Sequence, residues 1–216
     1  MIRIEPDQWL PHTYAKALSL VDMLRHPAAD YEAMTAIEKD SLRQSQMEAD
    51  EVVRILGFHN VHALVMKSDQ VLGWLPVSIL AVDATLTAFV LPQSAQLSAE
   101  TFFQQWQNTP YIWGGITLHG VDCSGLTQRY FLDVLNQCIP KNTYDQRRAG
   151  ISKALADITN NDLVFCTRIG GRGIHHVGIY INSDILHAHG ERGVIRQTLD
   201  EFMSQYQLLD VVKIDV

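Results

Sequence analysis

The chain has 216 residues, of which 47% are hydrophobic and 19% charged; this composition excludes a disordered protein and allows one large globular domain or two small ones. Its net charge of -7 argues against nucleic acid as a partner, because nucleic-acid-binding surfaces are basic. Acidic residues and Pro6 interrupt residues 1–7, and no stretch reaches the roughly 20 apolar residues of a membrane span, so we expect a cytoplasmic protein without membrane association.

The sequence predicts two domains, residues 1–92 and residues 98–216, joined by a Pro-broken polar linker at 91–96. The first domain carries three short apolar runs, at 51–56, 61–66 and 71–76, with turn-forming residues between them. Closely spaced strands of this kind predict a small barrel. Residues 30–47 are rich in Glu, Ala and Met, and their sequence fits a helix or a long loop equally well.

The second domain begins with a helix that Ser98 can cap and that buries Phe102, Phe103 and Trp106. A second helix follows Asp122. Its helically spaced apolar positions, which continue until Pro140, are Leu126, Tyr130, Phe131, Val134, Leu135 and Cys138. Beyond it the pattern predicts strands at 163–166, 177–181 and 184–188, a short helix at 198–206 and a strand at 208–214. Helices first and strands afterwards indicate an α+β fold.

Three cysteines are present, Cys123, Cys138 and Cys166, without a Cys-x-x-Cys pair. This sparse, odd set predicts neither a disulfide framework nor a structural zinc site. Cys123 stands where a helix begins, and free N–H groups there stabilise a thiolate and can also hold an oxyanion. A lone cysteine is otherwise more often buried and inert.

A thiol nucleophile needs a base, and the strand at 176–181 supplies a candidate. Alternation places His176 and Gly178 on one face, with the apolar residues facing the core, and Gly178 leaves open space beside His176. His175 is expected at the surface. The next strand carries His187, which can lie beside His176 and orient it, and His189 shares the face of His187 as a competing candidate.

Several short motifs occur in order along the second domain. They are residues 111–115 (YIWGG), 122–126 (DCSGL), 144–146 (YDQ), 162–165 (DLVF), 176–180 (HVGIY) and 186–188 (LHA). Together they resemble the ordered signature of the NlpC/P60 cysteine peptidases. The resemblance implies a papain-like catalytic domain that needs no metal or cofactor.

The same resemblance implies a role for each matching residue. Cys123 is the expected nucleophile, His176 the base and His187 the residue that orients it. Tyr111 is expected to direct its hydroxyl towards the site. Asp122 and Ser124, which flank the cysteine, are expected to contact substrate, although Asp122 also suits a plain helix cap.

The first domain resembles a bacterial SH3 (SH3b) domain at residues 49–56 and 73–80. An SH3b domain before an NlpC/P60 domain resembles the γ-D-glutamyl-L-diamino acid endopeptidases. This implies hydrolysis of small peptidoglycan peptides of the L-Ala-γ-D-Glu-diamino acid type, with the first domain recognising the substrate end, in murein peptide recycling. Lys141 departs from the family pattern, in which Arg often follows the proline. Cys166 and the residue pair at 160–161 also depart from that pattern.

Two other functions fit the sequence. A Cys-His site serves any acyl transfer, so the protein can equally be an amidase or acyl transferase acting on another amide. Alternatively it is a non-catalytic protein that binds cell-wall peptides.

Overall fold

The computed structural model describes residues 12–82, 85–91 and 93–215. The chain folds into two compact units, residues 1–92 and 93–216. Residues 1–7, on which the expectation of a cytoplasmic protein was based, and Pro92 of the predicted linker lie outside the described residues. No helix of the described chain is long and apolar enough to cross a membrane.

The first unit is built on one antiparallel seven-stranded sheet of order β3-β2-β6-β5-β4-β1-β7. Its strands are β1 (Tyr14–Ala17), β2 (Val21–Leu24), β3 (Arg43–Met47), β4 (Val52–His59), β5 (His62–Met66), β6 (Leu72–Pro76) and β7 (Leu80–Val82). The three strands predicted from the apolar runs correspond to β4, β5 and β6. Asn60 turns the chain between β4 and β5 with a positive φ of 52°, as a turn-forming asparagine can.

The predicted barrel is not seen in the described part of this unit. A barrel requires its edge strands to pair with each other, but β3 pairs with β2 alone and β7 with β1 alone. In addition, β2 meets β6 through a single residue pair, Leu24 with Trp74. The sheet is therefore open, and the SH3b assignment stays a prediction.

Residues 30–47 form both a helix and a strand. A 3₁₀ turn (Tyr31–Ala33) precedes helix α1 (Ala36–Leu42), which Thr35 caps by accepting from the Glu38 N–H while the Glu38 carboxylate accepts from the Thr35 N–H. The chain then continues directly into β3. Its residues (RQSQM) lack any apolar alternation, which is why the sequence did not reveal a strand here.

The second unit places a six-stranded antiparallel sheet between helices. Its sheet order is β10-β15-β11-β12-β13-β14, with a separate hairpin of β8 and β9. The strands are β8 (Ile116–Thr117), β9 (Gly120–Val121), β10 (Gly150–Lys153), β11 (Leu163–Arg168), β12 (His176–Ile181), β13 (Asp184–His189), β14 (Gly193–Thr198) and β15 (Tyr206–Ile214). The helices are α2 (Ala99–Trp106), α3 (Cys123–Leu135), α4 (Thr143–Arg148) and α5 (Leu199–Gln205).

Helices α2 and α3 begin at the predicted caps. Ser98 accepts from the Thr101 N–H and Asp122 accepts from the Gly125 N–H. The predicted continuation of α3 towards Pro140 was wrong. Asn136 adopts the left-handed conformation (φ 55°) and ends the helix, so Cys138 lies beyond it and is exposed.

Apolar side chains on the two faces of the large sheet explain its layers. Towards α3 the sheet buries Leu163, Phe165, Val177 and Ile179 against Leu126 and Phe131. The opposite face buries Val164, Cys166 and Ile185 beneath Phe202 of α5. Strand alternation thus assigns neighbouring residues of one strand to different layers, and the start of α3 lies against the centre of the sheet.

Candidate active site

A glycine-rich loop, residues 111–115, lies against the first turn of α3. The Gly114 N–H donates to Asp122 Oδ2 at 2.8 Å, and Gly114 itself has a φ of 75°. A Cβ added at Gly125 would overlap the Gly115 carbonyl oxygen. The loop and the helix therefore approach at backbone distance, which requires glycine at position 125 of the helix.

The buried Asp122 carboxylate links the glycine-rich loop, the first turn of α3 and Lys141. Its Oδ1 caps α3 at 2.6 Å from the Gly125 nitrogen and accepts from the Ser124 hydroxyl at 3.1 Å. The Lys141 Nζ contacts both Asp122 oxygens, at 2.9 and 2.8 Å, and lies 3.2 Å from Ser124 Oγ. All three side chains are buried. The cap expected of Asp122 is thus present. The contacts of Asp122 and Ser124 found here are internal, and their substrate role stays a prediction.

Cys123 is the first residue of α3 and is buried. Backbone N–H groups of Ser124 and Val177 lie close to its sulfur. The Tyr111 side chain also lies close to the thiol, and its role at the site stays a prediction. Because Val177 directly follows His176, its contact with the sulfur brings the start of β12 to Cys123.

The thiol is nevertheless not a preformed thiolate. Burial, and after it the Asp122 carboxylate, raise the pKa of Cys123 to about 12. The Lys141 ammonium and the N–H groups of Val177 and Ser124 lower this pKa, but less than burial raises it. We expected the helix N-terminus to stabilise a thiolate; it acts in that direction, and desolvation outweighs it.

A line of three buried polar side chains crosses neighbouring strands β12, β13 and β14. His176 Nε2 lies 2.8 Å from His187 Nδ1, and His187 Nε2 lies 2.8 Å from Gln197 Oε1. The His187 side chain is fully buried, and His176 and Gln197 are buried as well. The structure therefore brings the predicted base and its predicted orienting residue into direct contact.

Aromatic side chains from α5 and β15 cover the two histidines. The ring of Tyr206 stacks on His176 with 4.9 Å between centroids and an interplanar angle of 14°, and Phe202 meets His187 edge-on at 5.0 Å. This desolvation is the main reason that the pKa of His176 lies well below its ordinary value and that of His187 falls to about 4. Both imidazoles are therefore neutral at pH 7.

The competing histidine, His189, has different contacts. Its Nδ1 accepts from the backbone N–H groups of Glu191 and Arg192, at 3.1 and 3.3 Å. Its ring centroid lies 6.0 Å from that of His187. His175 is exposed, as expected. Among the candidates, His187 is the one that contacts His176.

Sequence reasoning missed three residues of this region. Gln197 carried no signal, because β14 was not predicted. Lys141 was noted only as a departure from a family pattern, although it is the buried partner of Asp122. Gln146 is fully buried, and its amide donates to the carbonyls of Ser124 and Pro140, both at 2.9 Å. The motif at 144–146 contains Gln146, so that signal was available.

The site has the components of nucleophilic acyl transfer: a thiol with N–H donors at its sulfur, and an imidazole that a second imidazole orients. No three His, Cys, Asp or Glu side chains of the described residues are grouped as a metal site requires. A family model, described as the NlpC/P60 family, matches residues 108–213. Residues 108–213 are thus similar to the NlpC/P60 family.

Curated relatives of this segment carry endopeptidase and peptidase names. A "Probable endopeptidase" of Haemophilus influenzae is 38% identical over 97 residues, which are 44% of this chain and 60% of the relative. A "Murein DD-endopeptidase MepS/Murein LD-carboxypeptidase" of Escherichia coli is 38% identical over 100 residues, 46% of this chain and 52% of the relative. The aligned parts thus span a little over half of these two relatives.

Two further comparisons concern bond type and fold. A "Gamma-D-glutamyl-L-lysine dipeptidyl-peptidase" of Bacillus subtilis is 42% identical over 73 residues, 33% of this chain and 24% of the relative. The solved structure of NlpC1 from Trichomonas vaginalis matches 99% of this chain and 97% of its own with a TM-score of 0.54 at 16% identity. The latter likeness is one of fold.

Proposed function

We propose that this protein is a cysteine peptidase that hydrolyses the γ-D-glutamyl-L-diamino acid bond of peptidoglycan peptides. The observation that carries the proposal is the meeting of Cys123, at the start of α3, with the start of β12, where His176 and His187 are hydrogen-bonded to each other. The 42% identity to a γ-D-glutamyl-L-lysine dipeptidyl-peptidase supports the choice of bond.

In the proposed mechanism the resting pair is a neutral thiol and a neutral imidazole. His176 takes the Cys123 proton as the sulfur attacks the γ-carbonyl carbon of D-glutamate, so the thiolate exists only while it reacts. Backbone N–H groups at the start of α3, with the Tyr111 hydroxyl, stabilise the oxyanion. The imidazolium then protonates the leaving amine of the diamino acid. Water, deprotonated by His176, hydrolyses the acyl-enzyme and restores the thiol.

A second candidate function is cleavage of the D,D-cross-link between peptides, because the Escherichia coli relative that carries the DD-endopeptidase name aligns over a larger share of its length than the Bacillus one. The two candidates use the same nucleophile and differ only in the bond presented to it. Substrate comparison therefore separates them without any change to the protein.

The experiment is mass spectrometry of two substrates, L-Ala-γ-D-Glu-meso-diaminopimelate and a D,D-cross-linked peptide dimer, after incubation with wild type, Cys123→Ala and Cys138→Ala. We expect wild type and Cys138→Ala to release free diaminopimelate and Cys123→Ala to release none. Cys138 is the matched control because its thiol is exposed and lies beyond α3. Cleavage of the dimer alone would establish the second candidate, and release of diaminopimelate by Cys123→Ala would refute the mechanism.

The proposal extends to the first unit, which we infer recognises the substrate end in the manner of an SH3b domain. Its support is the antiparallel strand arrangement around residues 49–56 and 73–80. Acetylation of the free amino group of the tripeptide is then expected to lower kcat/KM. An unchanged kcat/KM would remove this part of the proposal and leave the peptidase assignment intact.

A further inference from the structure

Gln197 ends the line of polar side chains that begins at the predicted base. It lies on β14, beside His187 on β13, which in turn lies beside His176 on β12. Both contacts measure 2.8 Å between heavy atoms. Because the three side chains are buried, water does not compete freely for these hydrogen bonds, so the two nitrogens of His187 and Nε2 of His176 must find their partners within the line.

The direction of the hydrogen bonds follows from the amide oxygen. Gln197 Oε1 has no proton and only accepts, so the facing nitrogen, His187 Nε2, must carry one. A neutral imidazole has one N–H, which leaves His187 Nδ1 as an acceptor. His176 Nε2 must then donate to it, and the free lone pair of neutral His176 is at Nδ1.

We propose that Gln197 is a positioning residue that fixes the tautomers of His187 and His176, so that His176 Nδ1 is the proton acceptor for Cys123. This inference rests on the proposed peptidase function for its role, and on the three buried side chains for its geometry. The amide does by hydrogen-bond direction what a carboxylate does in a Ser-His-Asp triad, without placing a buried charge next to the histidine.

The opposite amide orientation would have the opposite effect. If the Gln197 nitrogen faced His187 Nε2, it would donate, and His187 would carry its proton on Nδ1. His176 Nε2 would then be the acceptor, and its proton would lie on Nδ1, where a base needs a lone pair. One amide rotation thus decides whether the histidine pair accepts a proton from the thiol.

The test is two-bond ¹H–¹⁵N correlation NMR of the full chain labelled at histidine, at pH 7.5, with signals assigned through His187→Asn and His189→Asn. We expect His176 and His187 both to be protonated at Nε2 in wild type. Gln197→Glu, which keeps the acceptor, should retain this pattern. Gln197→Met, which has similar length and no acceptor, should shift His187 towards Nδ1–H.

Kinetics provide a second readout that a purely structural role would not produce. Gln197→Met should lower kcat by at least about tenfold with little change in KM, because a catalytic histidine held in the wrong tautomer loses kcat. Gln197→Glu should keep most of the wild-type kcat. Alkylation of Cys123 by iodoacetamide should fall in parallel. That measurement needs no substrate, so it still tests Gln197 if the proposed peptide is not cleaved.

A wild-type spectrum with the proton of His187 on Nδ1 would overturn the proposal, and so would Gln197→Met with unchanged tautomers and unchanged Cys123 alkylation. The wild-type spectrum is decisive even if the methionine variant does not fold. Hydrolysis that depends on Cys123 would in that case still support the peptidase assignment. Conversely, the expected tautomers without any hydrolysis would retain the role of Gln197 and reject the substrate.

Discussion

Replacing Lys141 by Met tests how much the buried Lys141–Asp122 ion pair, which lies next to Cys123, contributes to the free energy of unfolding. The Lys141 and Asp122 side chains are 2% and 7% exposed, and the shorter of their two contacts is 2.8 Å. Removal of one partner of a buried pair leaves the other charge uncompensated and costs about 3–5 kcal/mol. Met fills nearly the same volume, so a cavity adds little.

The hydrogen bonds that Asp122 keeps decide where within about 3–5 kcal/mol the loss of unfolding free energy lies. In the Lys141→Met variant, Asp122 would still accept from the N–H groups of Gly114 and Gly125 and from the Ser124 hydroxyl. These three donors stabilise the carboxylate, so we expect a loss of about 3 kcal/mol in the free energy of unfolding of the second unit. Urea titration followed by hydrogen-exchange mass spectrometry of peptides from α3 measures this unit separately.

A double substitution provides the control. Asp122→Asn removes the charge but keeps a side chain that caps helices well, so Lys141→Met with Asp122→Asn should be more stable than Lys141→Met alone. The coupling should be about 1–3 kcal/mol. A loss below about 1 kcal/mol in the single variant, or a double variant no more stable than it, would refute the assignment of a structural ion pair.

The single substitution Lys141→Met should also change the reactivity of the Cys123 thiol. The Lys141 ammonium lowers the pKa of Cys123, so its removal should raise that pKa and slow alkylation of Cys123 by iodoacetamide at a fixed pH. The exposed thiol of Cys138, followed in its own peptide, serves as the internal control. Unchanged Cys123 alkylation would mean that the ammonium does not act on the sulfur.

Two further predictions follow from the same region. Gly125→Ala should lower the melting temperature, despite the roughly 1 kcal/mol helix preference of alanine, because its Cβ would overlap the Gly115 carbonyl. Gly190→Ala is the control and should not lower it, because nothing lies within 4 Å of the added Cβ. Equal effects of the two substitutions on the melting temperature would contradict this prediction. Because the pKa of His187 is about 4 in the folded protein and about 6.5 unfolded, its contribution to stability is present above pH 6.5 and is lost as the pH falls towards 4. The slope should reach about 1.4 kcal/mol per pH unit, and titration of His187→Gln should remove that part of it.

The strands of the second unit that carry an apolar core face could be predicted from the sequence. The alternation at 177–181 identified β12 and placed His176 opposite the apolar set, because a half-buried strand has a period of two. Its partner β13 followed from the short turn at 182–183, whose residues adopt positive φ angles of 51° and 73°. These two strands alone left both His187 and His189 as candidates to lie beside His176, and only the family resemblance favoured His187.

The remaining parts of the site depend on features that are not local. Gln197 lies in β14, whose residues (GVIRQT) show only weak alternation, and its position beside His187 depends on the register with β13. Lys141 meets Asp122 across 19 residues of sequence because the chain returns after α3. A single sequence contains the residues of such pairs but not the distance between them.

Burial explains both the stability of the neutral site and the way it must react. Desolvation disfavours the thiolate of Cys123 and the imidazolium of His176, so the free protein favours the form with no charge on either residue. A thiol held in this form is also less open to oxidation than a preformed thiolate. In the proposed mechanism, transfer of the proton creates both charges at once, with the thiolate next to the N–H groups of Ser124 and Val177. In this mechanism the ion pair forms only when His176 has its lone pair at Nδ1, the nitrogen that accepts the proton. The surrounding strands must therefore control the tautomer of the neutral histidine and not its charge.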